Sequence, residues 1–268
     1  MIKSTDTATG PALARVVSYL DVPRSLRPQI WRELVPTWRV PSRPDRRPAT
    51  TGAASPPRTV VLVPGFLASD ASTAALAAAM RRAGHRVHHA RLGSMNGCSE
   101  VLASELVARL DRLATQGDDR FTVIGHSRGG QIAKVAARRR PALVDGLITL
   151  GSPLTDPWGM HLSLKLLIAG MSQVSRRRGV QLGCGDAQCP FGPCSGDYFD
   201  DLGGELAAHV TFSSIYSRQD GITQWRTCLD PGARHVEVTC SHLAMAFDPA
   251  VTSQVLGLLA ERPAEAAR

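Results

Sequence analysis

The feature that most limits what this chain can fold into is the stretch Phe121-Thr-Val-Ile-Gly-His-Ser-Arg-Gly-Gly-Gln-Ile-Ala-Lys134, where a buried-strand pattern runs straight through Gly-x-Ser-x-Gly into a helix. A serine caught between a strand end and a helix start must occupy a strained turn, and glycines two residues to either side let the two backbones approach. The turn lifts the Ser127 hydroxyl clear of the sheet. The helix beginning at Arg128 aims its unsatisfied N–H groups and the positive end of its dipole at the same point, so negative charge developing on a substrate oxygen would be stabilised there. Ser127 is therefore the candidate nucleophile and the Arg128 N–H a candidate oxyanion donor.

A regular alternation surrounds this stretch. Thr59 to Val63 is a continuous apolar, β-branched run ending at Pro64-Gly65, as expected of a strand buried on both faces. Then come helix Ala71 to Ala83, strand Arg86 to Ala90, helix Ser99 to Thr115 opened by a serine cap, strand Phe121 to Ile124, helix Arg128 to Arg139 and strand Leu143 to Leu150. Strands separated by helices of this length connect by right-handed crossovers. The expectation is an α/β fold with a mostly parallel central sheet and helices on both faces. The alternation breaks between Gly151 and Gly204, where a predicted helix, Met160 to Val174, carries Leu164, Leu167, Ile168 and Met171 on one stripe. Strands His209 to Tyr216 and Arg234 to Thr239 resume the sheet, and Leu243 to Glu261 reads as a terminal helix. Residues 1 to 58 read as a helical arm and Pro-rich linker ahead of one globular domain spanning 59–268.

A nucleophilic serine needs a base, and the base needs an orienting acid. In this strand–turn–helix setting they follow in the chain order Ser, Asp or Glu, His. Asp220 falls in a turn after the strand ending at Tyr216, and His242 in a loop before the last helix. Asp220 would hold the imidazole tautomer, and His242 would take the Ser127 proton and return it to the leaving group. Asp230 and Asp248 are rivals for the acid, Asp230 being more simply a turn residue before Pro231-Gly232. Among other histidines, His126 lies inside the elbow and is expected to point elsewhere, while His85, His88 and His89 share a short strand. The second oxyanion donor is expected from the loop after the first strand, with the Phe66 N–H as candidate.

Charge and cysteines narrow the alternatives. Lys and Arg total 31 against 23 Asp and Glu, a net +8, yet aromatics are only 5% of the chain, which argues against a base-stacking nucleic-acid surface. The runs Arg138 to Arg140 and Arg176 to Arg178 read as solvated basic faces, the second one able to favour anionic lipid surfaces. Cys184, Cys189 and Cys194 are spaced more widely than paired zinc ligands and have no histidine among them, so a local disulfide or free thiols rank ahead of a metal site. No metal or cofactor is expected. Neither a secretory leader nor an apolar run of spanning length is visible, so the expectation is a cytoplasmic location, with the cysteine-rich segment leaving export open.

Together, Val-Pro-Gly65-Phe66, Gly-His-Ser127-Arg-Gly-Gly, Leu-Gly151-Ser-Pro153, Tyr-Ser-Arg-Gln-Asp220-Gly and Ser-His242-Leu resemble the α/β-hydrolase superfamily, and within it the bacterial lipase and esterase group that includes the class 2 triacylglycerol lipases. The resemblance spans about Thr59 to Ala260. It implies ester hydrolysis through an acyl-serine, no cofactor, and a lid inserted over about Leu154 to Gly204. Leu67, Leu154, Leu164, Leu167 and Met171 would then line the acyl-binding side, with a small-molecule or lipid ester as substrate. Thioesterase and acyltransferase chemistry use the same residues, and a non-catalytic lipid- or partner-binding member of the fold is the remaining alternative. The chain departs from the commonest pattern at Pro64, where many members have histidine, and at Arg128, where many have an uncharged residue. Arg128 would add positive charge at the rim of the site and favour acyl groups with an anionic head.

Overall fold

The computed structural model describes residues 57–118, 120–162, 165 and 196–261. The N-terminal arm, the stripe residues Leu164, Leu167 and Met171, the Arg176 to Arg178 run and Cys184, Cys189 and Cys194 lie outside the described residues.

Strands β1 (Thr59–Val63), β2 (Arg86–His89), β3 (Phe121–His126), β4 (Val144–Leu150), β5 (Thr211–Ser217) and β6 (Arg234–Val238) form one six-stranded sheet in the order β2-β1-β3-β4-β5-β6. Every pairing between neighbours is parallel. The helices are α1 (Ala74–Arg82), α2 (Ser99–Ala114), α3 (Arg128–Arg139), α4 (Gly196–Gly203) and α5 (Pro249–Ala260).

Because side chains alternate along a strand, the unbroken apolar run of β1 supplies two cores at once. Val60 and Leu62 pack with Leu76 and Met80 of α1 and Val251 and Val255 of α5. Val61 and Val63 face the other way, onto Leu106 and Leu110 of α2 and Ile132 and Val135 of α3. The α/β expectation from strand and helix order is thus met, with helices on both faces.

Chain direction places the site. From β1 the chain moves outward to β2, then returns to β3 on the other side of β1, so the connections diverge and open a crevice at the carboxyl ends of β1 and β3.

Several local expectations are corrected. The terminal helix does not begin at Leu243: a short 3-10 turn, Leu243–Ala246, is separated from α5 by an extended Asp248 (φ −66°, ψ 131°). Pro249 is the cause, since its ring disfavours helical geometry in the residue before it and it has no N–H to donate. Asp248 instead caps α5, its Oδ1 accepting the Ala250 N–H at 2.7 Å, and this removes it as a rival for the acid. Ser99 is not a cap either. It is the first residue of α2, and its hydroxyl accepts an Arg128 guanidinium N–H at 2.8 Å.

Both ends of the predicted insertion belong to the core. Leu154, Tyr198 and Leu202 are all buried with the α2–α3 cluster. Arg139 fastens α4 there, donating to Asp201 at 2.6 Å and to both Glu100 oxygens at 2.7 and 2.8 Å. Arg138 also reaches Asp201, and Arg140 pairs with Asp111, so this basic run is matched with acids across three helices and is not simply a solvated face.

Candidate active site

Ser127 joins β3 to α3 with φ 54° and ψ −125°, the positive-φ turn that its position between strand and helix demands. Such a conformation costs a β-carbon-bearing residue of order 1–3 kcal/mol and persists only where its surroundings enforce it. Here the Ser127 N–H donates to Leu150 O of β4 at 2.8 Å, and its own carbonyl accepts the Gly130 N–H at 2.9 Å. Close approach does the rest: a Cβ on Gly129 would strike the carbonyl oxygens of Val63 and Pro64, so the start of α3 rests directly on the end of β1. Ser127 itself remains partly exposed.

On β1 the chain leaves through a turn closed by Ala68 N–H to Gly65 O at 3.1 Å. The Phe66 amide takes no part in that closing bond. A Cβ on Gly65 would lie 3.3 Å from Ser127 Cβ, so this loop abuts the candidate nucleophile. Arg128 opens α3, and the first amides of a helix have no acceptor within it. The two candidate oxyanion donors thus flank Ser127 from adjoining strands.

The Arg128 side chain is turned inward, contrary to the expected rim position. Its guanidinium donates to Met95 O at 2.7 Å, Gly97 O at 2.6 Å and Ser99 Oγ, and lies 5.6 Å from the centre of the Phe66 ring. Backbone carbonyls between β2 and α2 need donors, and a guanidinium on the neighbouring helix end supplies several at once. Burial lowers the Arg128 pKa from its ordinary value. The residue ties the loop after β2, the loop after β1 and the nucleophile turn together.

Asp220 follows β5 and His242 follows β6. Both are buried, and His242 Nδ1 meets Asp220 Oδ2 at 2.6 Å. The other carboxylate oxygen, Oδ1, accepts the amides of Ile222 at 2.9 Å and Thr223 at 2.6 Å, so the group is fixed on both sides. With Nδ1 committed, Nε2 is the ring nitrogen left for chemistry. Among the described residues no hydrogen bond links the Ser127 hydroxyl to His242; in unliganded sites such contacts are often long and tighten with substrate bound.

Asp230, the rival acid, is occupied elsewhere. Its Oδ2 holds the buried Lys134 ammonium at 2.5 Å, and its Oδ1 accepts the Gly232 N–H at 2.9 Å.

Two contributions to the site escape a sequence reading. Gly151 ends β4 at φ 58°, and a Cβ there would fall 3.1 Å from Asp220 Oδ2 and 3.2 Å from His242 Nδ1; a glycine immediately after a strand is the available signal. His126 is buried and its Nε2 stands 3.0 Å from the His242 carbonyl oxygen, a contact between residues 116 positions apart that no local pattern announces. Of the residues expected on the acyl side, Leu67 is exposed in the turn after β1 with φ 56°, and Leu154 is buried. Leu154 also lines an open cleft of about 330 Å³ with Trp158, Phe199 and Leu202. Among the described residues no helix is long and apolar enough to cross a membrane, and no group of three or more His, Cys, Asp or Glu is arranged to hold a metal ion.

A parallel sheet with a serine held at positive φ at the switch between β1 and β3 is the arrangement of the α/β-hydrolase fold. The chain has the α/β-hydrolase fold, and residues 58–189 match the family model described as alpha/beta hydrolase fold. Among solved structures it is similar to an extracellular alpha/beta-hydrolase from a Paenibacillus species, at 16% identity and a TM-score of 0.51 over 77% of this chain and 100% of that one. It is similar to carboxylesterase CesB from Bacillus subtilis, at 14% identity and a TM-score of 0.51 over 76% of this chain and 84% of that one. A structure from work on the metagenome-derived lipolytic enzymes LipS and LipT gives 18% identity and a TM-score of 0.52 over 76% of this chain and 94% of that one. At such identities the likeness speaks for the fold alone. No curated protein matches the sequence.

Proposed function

We propose that this protein is a serine hydrolase of carboxylic esters with apolar acyl groups, using Ser127, His242 and Asp220. The observation that carries the reading is the buried 2.6 Å contact between His242 Nδ1 and Asp220 Oδ2, at the same sheet edge as a serine held at positive φ. A carboxylate on Nδ1 fixes the tautomer whose Nε2 can accept a proton.

Ser127 Oγ attacks the ester carbonyl carbon while its proton passes to His242 Nε2. The carbonyl oxygen becomes an oxyanion between the Phe66 and Arg128 amides, which are aimed before the charge forms. Collapse breaks the bond to the alcohol, which leaves with the proton from His242. Water then gives a proton to His242 and attacks the acyl carbon, and collapse breaks the bond to Ser127 Oγ, which takes the proton back from His242 as the carboxylic acid leaves. The cleft beside Leu154, Trp158 and Phe199 is lined mainly by apolar side chains, and the reading assigns the acyl group to it.

The test is turnover of p-nitrophenyl esters of graded chain length, beside acyl-CoA thioesters, by wild type and Ser127→Ala. Ester turnover that falls at least about 10³-fold in Ser127→Ala is expected. Equal turnover in the variant overturns the mechanism, faster thioester cleavage moves the substrate class to thioesters, and no turnover of any substrate favours a binding protein.

A further inference from the structure

His126 belongs to the nucleophile turn by sequence, but its side chain serves another part of the site. The imidazole is buried, and its Nε2 lies 3.0 Å from the carbonyl oxygen of His242. A carbonyl only accepts, so Nε2 carries the proton and donates, leaving Nδ1 as the unprotonated nitrogen. Nδ1 in turn faces the loop after β1, where a Cβ on Gly65 would come within 3.1 Å of it. The two imidazole rings stand 4.9 Å apart, centre to centre, at 42°. A side chain at the end of β3 thus contacts His242 after β6 and faces the loop after β1.

His242 needs that support. It sits at the start of a 3-10 turn of only four residues, Leu243–Ala246, with its carbonyl otherwise accepting only the longer Met245 N–H bond at 3.3 Å. Asp220 meets the ring at Nδ1, whereas the His126 contact is to the backbone carbonyl of the same residue. The groups facing His126 are His242 and Asp220, and burial, with His242 beside it, pushes the His126 pKa down to about 3. It therefore stays a neutral donor throughout ordinary working conditions, and a second positive charge never forms next to His242 when that ring takes up a proton.

We propose that His126 is a positioning residue: its Nε2–H anchors the His242 backbone so that the imidazole stays aimed at Ser127. The inference rests on the assignment of Ser127 and His242 above. It assigns His126 no contact with substrate, and its effect is confined to the geometry of the base.

Three full-length proteins test it: wild type, His126→Phe, which keeps a ring but no donor, and His126→Gln, whose amide nitrogen can reach the place of Nε2. Each is assayed with p-nitrophenyl butyrate and for labelling of Ser127 by a fluorophosphonate, read by mass spectrometry. In His126→Phe, kcat and the labelling rate are expected to fall about 10–100-fold with KM within about two-fold, the scale of a misplaced catalytic group. His126→Gln is expected to recover most of that loss. If His126→Phe does not fold, His126→Asn, whose amide is too short to reach the carbonyl, replaces it with the same expectations. A donorless variant as fast as wild type overturns the proposal, as does a His126→Gln just as slow as the donorless variant. If wild type itself takes up no probe at Ser127, the assignment of the nucleophile fails, and the proposal fails with it.

Discussion

Asp220 and Asp230 leave the same connection between β5 and β6, both are buried, and each caps a local turn by accepting backbone amides through Oδ1. They differ in what Oδ2 meets: the His242 imidazole for Asp220, the Lys134 ammonium of α3 for Asp230. The first partner is an imidazole ring and the second an ammonium group. Similar burial and similar turn chemistry thus go with different partners, and under the proposed function only the pairing of Asp220 serves the reaction.

The largest effect expected from breaking this contrast is on Asp220. In Asp220→Asn the amide oxygen can still accept the Ile222 and Thr223 amides, so the turn survives, but the amide nitrogen faces His242 Nδ1 and selects the wrong tautomer. Turnover is expected to drop about 10⁴-fold with the unfolding midpoint near that of wild type. Full activity in that variant would detach Asp220 from the chemistry. For Asp230→Asn the pattern should invert, with ester turnover within a few-fold of wild type and a stability loss of about 3–5 kcal/mol by urea unfolding, because Lys134 keeps a buried charge with no counter-ion. Replacing both partners, Lys134→Met with Asp230→Leu, should recover most of that loss, since removing the whole pair removes the desolvation cost of both charges. A turnover loss in Asp230→Asn as large as in Asp220→Asn would erase the distinction. Asp248, the other aspartate weighed as the acid, gives the smallest effect: Asp248→Ala removes the α5 cap and is expected to cost about 1 kcal/mol, with activity unchanged.

Particular residues show how far the sequence carries. The order of strands and helices was legible because the apolar periods are strong: β1 and β3 are apolar on both faces and could only be interior strands. Ser127 was legible because a glycine-flanked serine between a strand and a helix has few conformations open to it. Asp220 and His242 could be named because each follows a strand, and in a parallel sheet all such loops gather at one edge. Between the two acids that meet that rule, the local signal is the Pro231-Gly232 turn after Asp230, and the partners of the two carboxylates come only from the tertiary structure. Arg128 was expected at the rim because charged side chains usually find water; its guanidinium instead answers the carbonyls of Met95 and Gly97, whose proximity depends on how the loop after β2 folds. Arg138 to Arg140 was expected to be solvated for the same reason, yet α2 and α4 bring Glu100, Asp111 and Asp201 within reach. The helix expected from Leu243 onward is interrupted by Pro249, a local signal within a long apolar pattern.

What the sequence determined by itself is the scaffold and the short list of candidate site residues, because hydrophobic period and turn chemistry act over a few residues and leave a readable trace. What only the tertiary structure decided is the partner of each buried polar group: Asp220 with His242, Asp230 with Lys134, His126 with a carbonyl 116 residues away. Such pairings are set by the crossing of strands and helices far apart in the chain, and a buried polar group takes whichever partner that crossing presents, since leaving it without one costs more than any local preference can return.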